Sequence, residues 1–329
     1  MRYGLGYCGS KNGIAEWVCD YIPNSRNFYD LFAGGCAITH CSMLRKKSEN
    51  YLINDISDVV ELFYDAIMGK YKNETRWISR EDFKKLKDKD PYIRYCWSFG
   101  NRGLAYLYSE EIEPYKRACH YAIVFDDWKE LEKLCPEIIK EAKQALTGVS
   151  NIQQRRLKFG PSVVKKLKKT GNWNIVVNNP LYMSCHRRGG KLDRKQNVLQ
   201  SLERLESLER LESLESLERL TLSIGSYKDV KIEPDSVIYC DIPYRGTAEY
   251  IGGFNHDEFY GWCEQQTELV IISEYDMPRD RFVCIAEKDK LVRLSGVSRG
   301  KATERLFVPK HQIDLYDSKK MDMEQLTLF

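Results

Sequence analysis

The sequence lacks any apolar run approaching the roughly 20 residues that a membrane-spanning helix needs. Its first residues, Met1-Arg2-Tyr3-Gly4-Leu5-Gly6, lack the long apolar segment of a secretory signal, so the expected location is the cytoplasm and no membrane is expected as a partner. Histidine is scarce at five residues, and the eleven cysteines include no Cys-x-x-Cys pair. Zinc sites and disulfide frameworks both depend on such spacing; the thiols therefore read as free and mostly buried, and no metal is expected. An excess of one charge is also lacking, since the net is +3 over 329 residues. Partners are to be sought in the local distribution of charge.

What is present is a globular composition, 30% charged and 12% aromatic, in a chain long enough for two structural units. Tyr7-Cys8-Gly9-Ser10-Lys11-Asn12-Gly13 is a glycine-rich turn, and an amphipathic helix is expected from Ile14 to Ile22, stopped before Pro23. A lysine among backbone amides favours an anionic group. Asn27 to Asp30 reads as a strand running through Leu31-Phe32-Ala33 into Gly34-Gly35 and then a helix. Glycines at such a corner let a ligand lie against the backbone and the helix amino terminus. This corner carries neither Gly-Lys-Ser/Thr nor Gly-x-Gly-x-x-Gly, which turns the reading away from triphosphates and dinucleotides.

A second strand, Tyr51-Leu52-Ile53, ends in Asn54-Asp55. Asp55 lies about 20 residues past the glycines, where nucleotide-binding α/β folds place the carboxylate that grips ribose hydroxyls. Capping the helix that follows is its other reading. Ser236 to Cys240 is β-branched and aromatic, as suits a buried strand, and Asp241 and Pro243 break the pattern. Ligands bind beyond the carboxyl ends of strands in open α/β sheets, so chemistry is expected at Asp241 to Tyr244.

Taken in order, Tyr7 to Lys11, Asp30 to Gly35, Asn54-Asp55 and Asp241-Ile242-Pro243-Tyr244 resemble the motifs of the Dam-like family of bacterial and phage DNA N6-adenine methyltransferases. The resemblance implies an α/β fold, a Rossmann-like class I methyltransferase sheet formed by residues 1–68 and 228–329. It also implies an inserted, mainly helical target-recognition domain at 69–227. The implied cofactor is S-adenosyl-L-methionine, held by Tyr7, Lys11, Phe32, Gly34, Gly35, Asp55 and Asp241, and the implied partner is double-stranded DNA; a monomer is expected. Asp241, Ile242, Pro243 and Tyr244 would be catalytic. The Asp241 carboxylate and the Ile242 carbonyl would accept the two hydrogens of an adenine amine, and Tyr244 would stack on the flipped base. The family's usual proline is replaced by Ile242, which spares the backbone acceptor and puts loop rigidity in question. An N4-cytosine methyltransferase, an RNA methyltransferase and a catalytically decayed DNA-binding module are the alternatives. Serine is more typical of the first where Asp241 stands, and intact Asp55 and Asp241 argue against the last.

Between 69 and 227 the pattern turns helical and charge-rich. Tyr92 to Tyr108 mixes aromatic and polar residues, as either a DNA-facing segment or a core helix would, and Gly100 and Gly103 around Asn101-Arg102 favour an exposed loop. Asp126 to Ala145 is acidic and reads as a solvated helix. From Arg155 the sign reverses, through Arg156, Lys165 and Lys166 to Arg187 and Arg188. That density of positive charge has the footprint of phosphate contacts, so Asn101, Arg102, Arg155, Arg156, Lys165, Lys166, Arg187 and Arg188 are expected to bind DNA. Leucine at every third position from Leu199 to Leu220 marks a repeat extending to Leu222; Glu206 with Arg210 and Glu215 with Arg219 have helical ion-pair spacing, and short strands are the alternative. Beyond it, Phe259 to Gln265 reads as a helix and Glu268 to Ser273 as a buried strand. Val283 to Ala286 and Arg305 to Val308 read as antiparallel edge strands.

Overall fold

The computed structural model describes residues 3–5, 10–71, 74–169, 219–245, 253–293 and 299–326. Tyr7, Arg187, Arg188 and the repeat from 199 to 218 lie outside the described residues. In chain order the elements are α1 (Ala15–Asp20), β1 (Ser25–Asp30), α2 (Ala37–Leu44), β2 (Ser48–Asp55) and α3 (Val59–Ile67). Then come α4 (Arg80–Leu86), α5 (Pro91–Cys96), α6 (Glu113–Phe125), α7 (Lys129–Leu134), α8 (Ile139–Leu146) and α9 (Ile152–Lys169). The chain continues with β3 (Leu220–Ile224), β4 (Ser236–Asp241), α10 (His256–Gln265), β5 (Leu269–Glu274), β6 (Phe282–Arg293), β7 (Arg299–Pro309) and α11 (Ile313–Leu326). It divides into two compact units: Met1–Leu5, Gly9–Tyr64 and Ser213–Phe329 form one, Gly6–Cys8 and Asp65–Glu212 the other.

The first unit is a mixed α/β structure around a seven-stranded sheet of order β3-β2-β1-β4-β5-β7-β6. The first five strands in that order are parallel, and β7 runs antiparallel to β5 on one side and to β6 on the other. Strands buried on both faces read as continuous apolar runs, and every residue of β5 is buried, as is all of β4 ahead of Asp241. On one face, Tyr29, Ile238, Cys240, Val270 and Ile272 pack against Phe259, Tyr260 and Cys263 of α10. Sheet growth reverses direction between β1 and β4, whose register pairs Asp30 with Tyr239. A crevice forms at the carboxyl ends of strands at such a switch point.

Two sequence expectations change here. Leu220 to Leu222, assigned to the repeat with a helical preference, begin β3, which pairs parallel with β2 from Tyr51↔Leu220 to Asp55↔Ile224. The three-residue leucine spacing ends at Leu220, and Leu220-Thr221-Leu222 alternates with the period of a strand. The carboxyl-terminal strands are longer than expected, and only β6 is an edge, because β7 lies between β5 and β6.

In the second unit, described residues form helices α4 to α9 with short turns. Its core gathers Ala118, Ala122 and Ile123 of α6, Leu131 of α7, Ile138, Ala142 and Leu146 at α8, and Phe159 of α9. The acidic segment is thus two helices rather than one solvated helix. They part at Cys135-Pro136, where proline cannot continue the hydrogen-bond ladder, and each buries an apolar edge. Tyr92, Tyr95, Trp97, Tyr106 and Tyr108 are buried, which decides their alternatives in favour of core packing. The Trp77 and Tyr108 rings stack with centroids 5.8 Å apart.

Candidate active site

Four neighbouring parallel strands each end in an acid: Asp55 on β2, Asp30 on β1, Asp241 on β4 and Glu274 on β5. Three of these carboxylates hold the scaffold. Asp30 is buried and accepts from Thr39 Oγ1 of α2 at 2.7 Å. Asp55 accepts from the Gly34 N–H and the Ser57 N–H, each at 2.8 Å, so it fixes the glycine corner to the end of β2. Glu274 accepts from the Arg245 N–H at 2.7 Å and from the Tyr275 N–H.

Asp241 differs, because its partner is a side-chain cation. Lys11 Nζ lies 2.7 Å from Asp241 Oδ1 and 3.4 Å from Glu304 Oε1, and it sits 4.4 Å above the Tyr244 ring centroid. The Tyr244 hydroxyl donates to Glu304 Oε1, and its ring meets Tyr275 edge-on at 4.4 Å. Glu304, on β7, is fully buried. Two carboxylates and one ammonium thus share a pocket closed on most sides, with a fifth of the Asp241 side chain open to solvent.

Burial sets the electrostatics of this cluster. It pushes Asp30 up to about 7, with Thr39 pulling back and Asp241 and Asp55 adding repulsion. Asp55 is raised mainly by burial, and Asp241 likewise, against Lys11 and with Glu304 adding to the rise. Burial pulls Lys11 down, yet Asp241 and Glu304 outweigh it and the ammonium is held above its ordinary value. The pocket therefore keeps Lys11 charged.

Residues 7–140 match the family model of the D12 class N6 adenine-specific DNA methyltransferases. Over that stretch the chain is similar to the D12 class. A type II methyltransferase of Haemophilus parahaemolyticus, M2.HphI, is 34% identical to it over 56 residues, 17% of this chain and 16% of that relative. The chain thus spans about a sixth of the relative's length in this match.

The carboxyl-terminal motif, beyond the matched residues, is held from three sides. The Ile242 side chain is buried in the α10 core, His256 Nε2 donates to the Pro243 carbonyl at 2.8 Å, and Glu274 takes the Arg245 N–H. These contacts fix the main chain from Ile242 to Arg245. Phe32 is half-buried and packs against Tyr227, Phe254 and Phe259. Gly34 has a positive φ of 48°. Lys11, expected beside the cofactor with Tyr7, stands at Asp241 and Tyr244.

The expected DNA contacts separate. Asn101 and Arg102 lie on a turn whose Gly100 and Asn101 have positive φ, and Arg102 is exposed. Arg155 and Arg156 face inward and are corrected from DNA contacts to scaffold residues. Arg155 donates to the carbonyls of Ala122, Ile123 and Val149 and to Asp126. Arg156 is 1% exposed and donates to the Glu74 carbonyl at 2.9 Å, so its guanidinium cannot reach a phosphate. The main chain of Lys165 and Lys166 lies in α9, and their side chains are outside the description.

Sequence reasoning missed Gly4, Glu274 and Glu304. Gly4 has a φ of +60°, and a Cβ there would fall 2.2 Å from the Gly35 carbonyl oxygen; its N–H donates to His40 Nδ1, and Leu5 N–H donates to Gly35 O at 2.7 Å. Glu274 had a signal, an acid closing a buried strand as at Asp241. Glu304 had a weaker one, an acid ahead of Leu306-Phe307-Val308.

Proposed function

We propose that the chain transfers a methyl group from S-adenosyl-L-methionine to N6 of an adenine flipped out of duplex DNA. The observation that carries this reading is the Asp241 carboxylate at the switch-point strand end, partly open and paired to Lys11, in a chain whose residues 7–140 match the D12 class. The order β3-β2-β1-β4-β5-β7-β6, with β7 alone reversed between β5 and β6, supports a Rossmann-like class I methyltransferase sheet. On the same reading, the insertion expected at 69–227 is the target-recognition domain as far as β3, and the enzyme works as a cytoplasmic monomer on double-stranded DNA. The relative's type II class supports a place in restriction and modification.

The glycine corner fits the cofactor. Gly34 presents backbone without a side chain, Asp55 stands beside it, and the buried Asp30 Oδ1 and Asn54 Oδ1 have no hydrogen-bond partner among the described residues. Gly34, Gly35, Phe32 and Asp55 would hold it, with Asp55 toward the ribose. When bound, the cofactor supplies a methyl group on an already activated sulfonium carbon, so positioning the acceptor dominates.

An adenine amine is a poor nucleophile because its lone pair is delocalised into the ring. Asp241 and the Ile242 carbonyl accept its two hydrogens and draw the lone pair toward the methyl group. Ile242 precedes Pro243 and is biased to extended backbone, and its buried side chain keeps the carbonyl aimed. Tyr244 stacks on the base, and that stacking offsets the few kcal/mol of unstacking a base from the duplex. The test is transfer of labelled methyl groups to DNA by the wild type and by Asp241→Ala. A loss of at least ~100-fold is expected, by analogy with removing one preorganised hydrogen-bonding group from an active site; undiminished transfer overturns the reading.

A further inference from the structure

The reading above leaves Glu304 without a role, although it is fully buried and touches both Lys11 and Tyr244. We propose that Glu304 is a positioning residue for methyl transfer, a second counter-ion that shares the Lys11 ammonium and so keeps the Asp241 carboxylate a strong acceptor for the target amine. The proposal rests on the methyltransferase reading and deepens it.

The geometry leads there in three steps. An ammonium 2.7 Å from Asp241 Oδ1 competes for the electron density that the adenine amine needs. With Asp241 as its only counter-ion, Lys11 would collapse onto that oxygen and neutralise it. Glu304 Oε1, 3.4 Å from the same Nζ, draws the ammonium the other way and leaves the trio with one net negative charge. Lys11 can then move toward Glu304 as the amine takes Asp241, and no charge has to enter or leave a buried pocket, a step that is costly at low dielectric.

The Tyr244 hydroxyl is held by the same carboxylate. It donates to the same Oε1, so the residue that sets the ammonium also sets the ring on which the base stacks. Glu304 is carried by β7, paired through Leu306 with Ser273 of β5 and through Glu304 itself with Lys288 of β6. A strand interior holds a side chain more rigidly than a loop does. Both flexible partners, Lys11 on the amino-terminal turn and Tyr244 on the motif loop, are thus referred to one fixed carboxylate.

The experiment is a double-mutant cycle in the full chain with Glu304→Gln, Lys11→Met and the pair. It reads single-turnover methyl transfer to DNA that carries no adenine methylation, and cofactor binding by calorimetry. The Asp241 carboxylate is faced by Lys11, Glu304 and Tyr244, with Asp30, Tyr239 and Tyr275 around them, and among these Glu304 raises it. Glu304→Gln is expected to slow transfer at least ten-fold, to leave the cofactor dissociation constant within two-fold, and to move the acid limb of the rate profile to lower pH. In the Lys11→Met background the same change is expected to add less than two-fold. Wild-type-like transfer by Glu304→Gln, or effects that multiply in the pair, overturns the proposal. Should Glu304→Gln fail to bind cofactor, Glu304→Asp replaces it in the cycle, and the same coupling or its absence decides. A wild-type chain that binds cofactor but methylates no DNA would overturn the methyltransferase reading instead.

Discussion

The two units bury charge in opposite ways. In the helical unit the buried guanidinium of Arg156 donates to the Glu74 carbonyl, and the inward-facing one of Arg155 donates to the carbonyls of Ala122, Ile123 and Val149 and to Asp126, so both brace the main chain. In the sheet unit Lys11, Asp241 and Glu304 are aimed at one another, with an excess of acid. A carbonyl-satisfied arginine is finished as a chemical group. An ammonium divided between two carboxylates has an alternative position close by, and that is what a site for a transient guest needs. Burial alone therefore does not mark function; the nature of the partner does.

The contrast is sharpest at Arg156. Arg156→Ala should cost about 3 kcal/mol of stability, since it empties a buried site and strands a carbonyl, and denaturant unfolding measures it. The salt dependence of DNA binding by the folded fraction should equal that of the wild type; a reduced slope would return this residue to the DNA surface and break the comparison.

A smaller effect is expected at Asp30. Its ordinary value of 3.8 is pushed up to about 7 in the folded chain, chiefly by burial. The stability this contributes is full below the unfolded value and is lost as pH rises through the folded one. Between pH 5 and pH 8 that loss is about 2.5 kcal/mol. Asp30→Asn should abolish this part of the decline, read as urea midpoints at the two pH values; an unchanged decline would mean that Asp30 is already ionised in the folded chain.

Arg102→Ala should do least to the fold, within about 0.5 kcal/mol, because the side chain is exposed. If the turn at Asn101-Arg102 meets DNA, the slope of log affinity against log salt falls by about one. No change in slope would leave the helical unit without a DNA-facing residue among those placed so far.

The parts of the fold that were legible were those where burial writes itself into residue type. Val237 to Cys240 and Leu269 to Ser273 are apolar because both faces are covered, and the glycine corner and Asp55 announced themselves by spacing. Partners were illegible. Arg155 and Arg156 look in sequence like any basic pair, and only the carbonyls of α6 and of Glu74 reveal their use. Glu304 follows the same rule from the other side: a strand's alternation says that a residue faces inward, but not that a lysine nearly three hundred positions earlier waits there. The acidic segment misled because charge on one side of α7 and α8 hid the apolar edge on the other.

The strand β3 has a consequence for how such a chain changes over generations. Its residues begin where the Ser-Leu-Glu-Arg-Leu-Glu copies end, and its pairing with β2 is set from Leu220 onward. Copies gained or lost upstream by slippage, in whole units that preserve the reading frame, renumber this strand without altering its register. The gene can lengthen or shorten there while the catalytic sheet inherits the same edge.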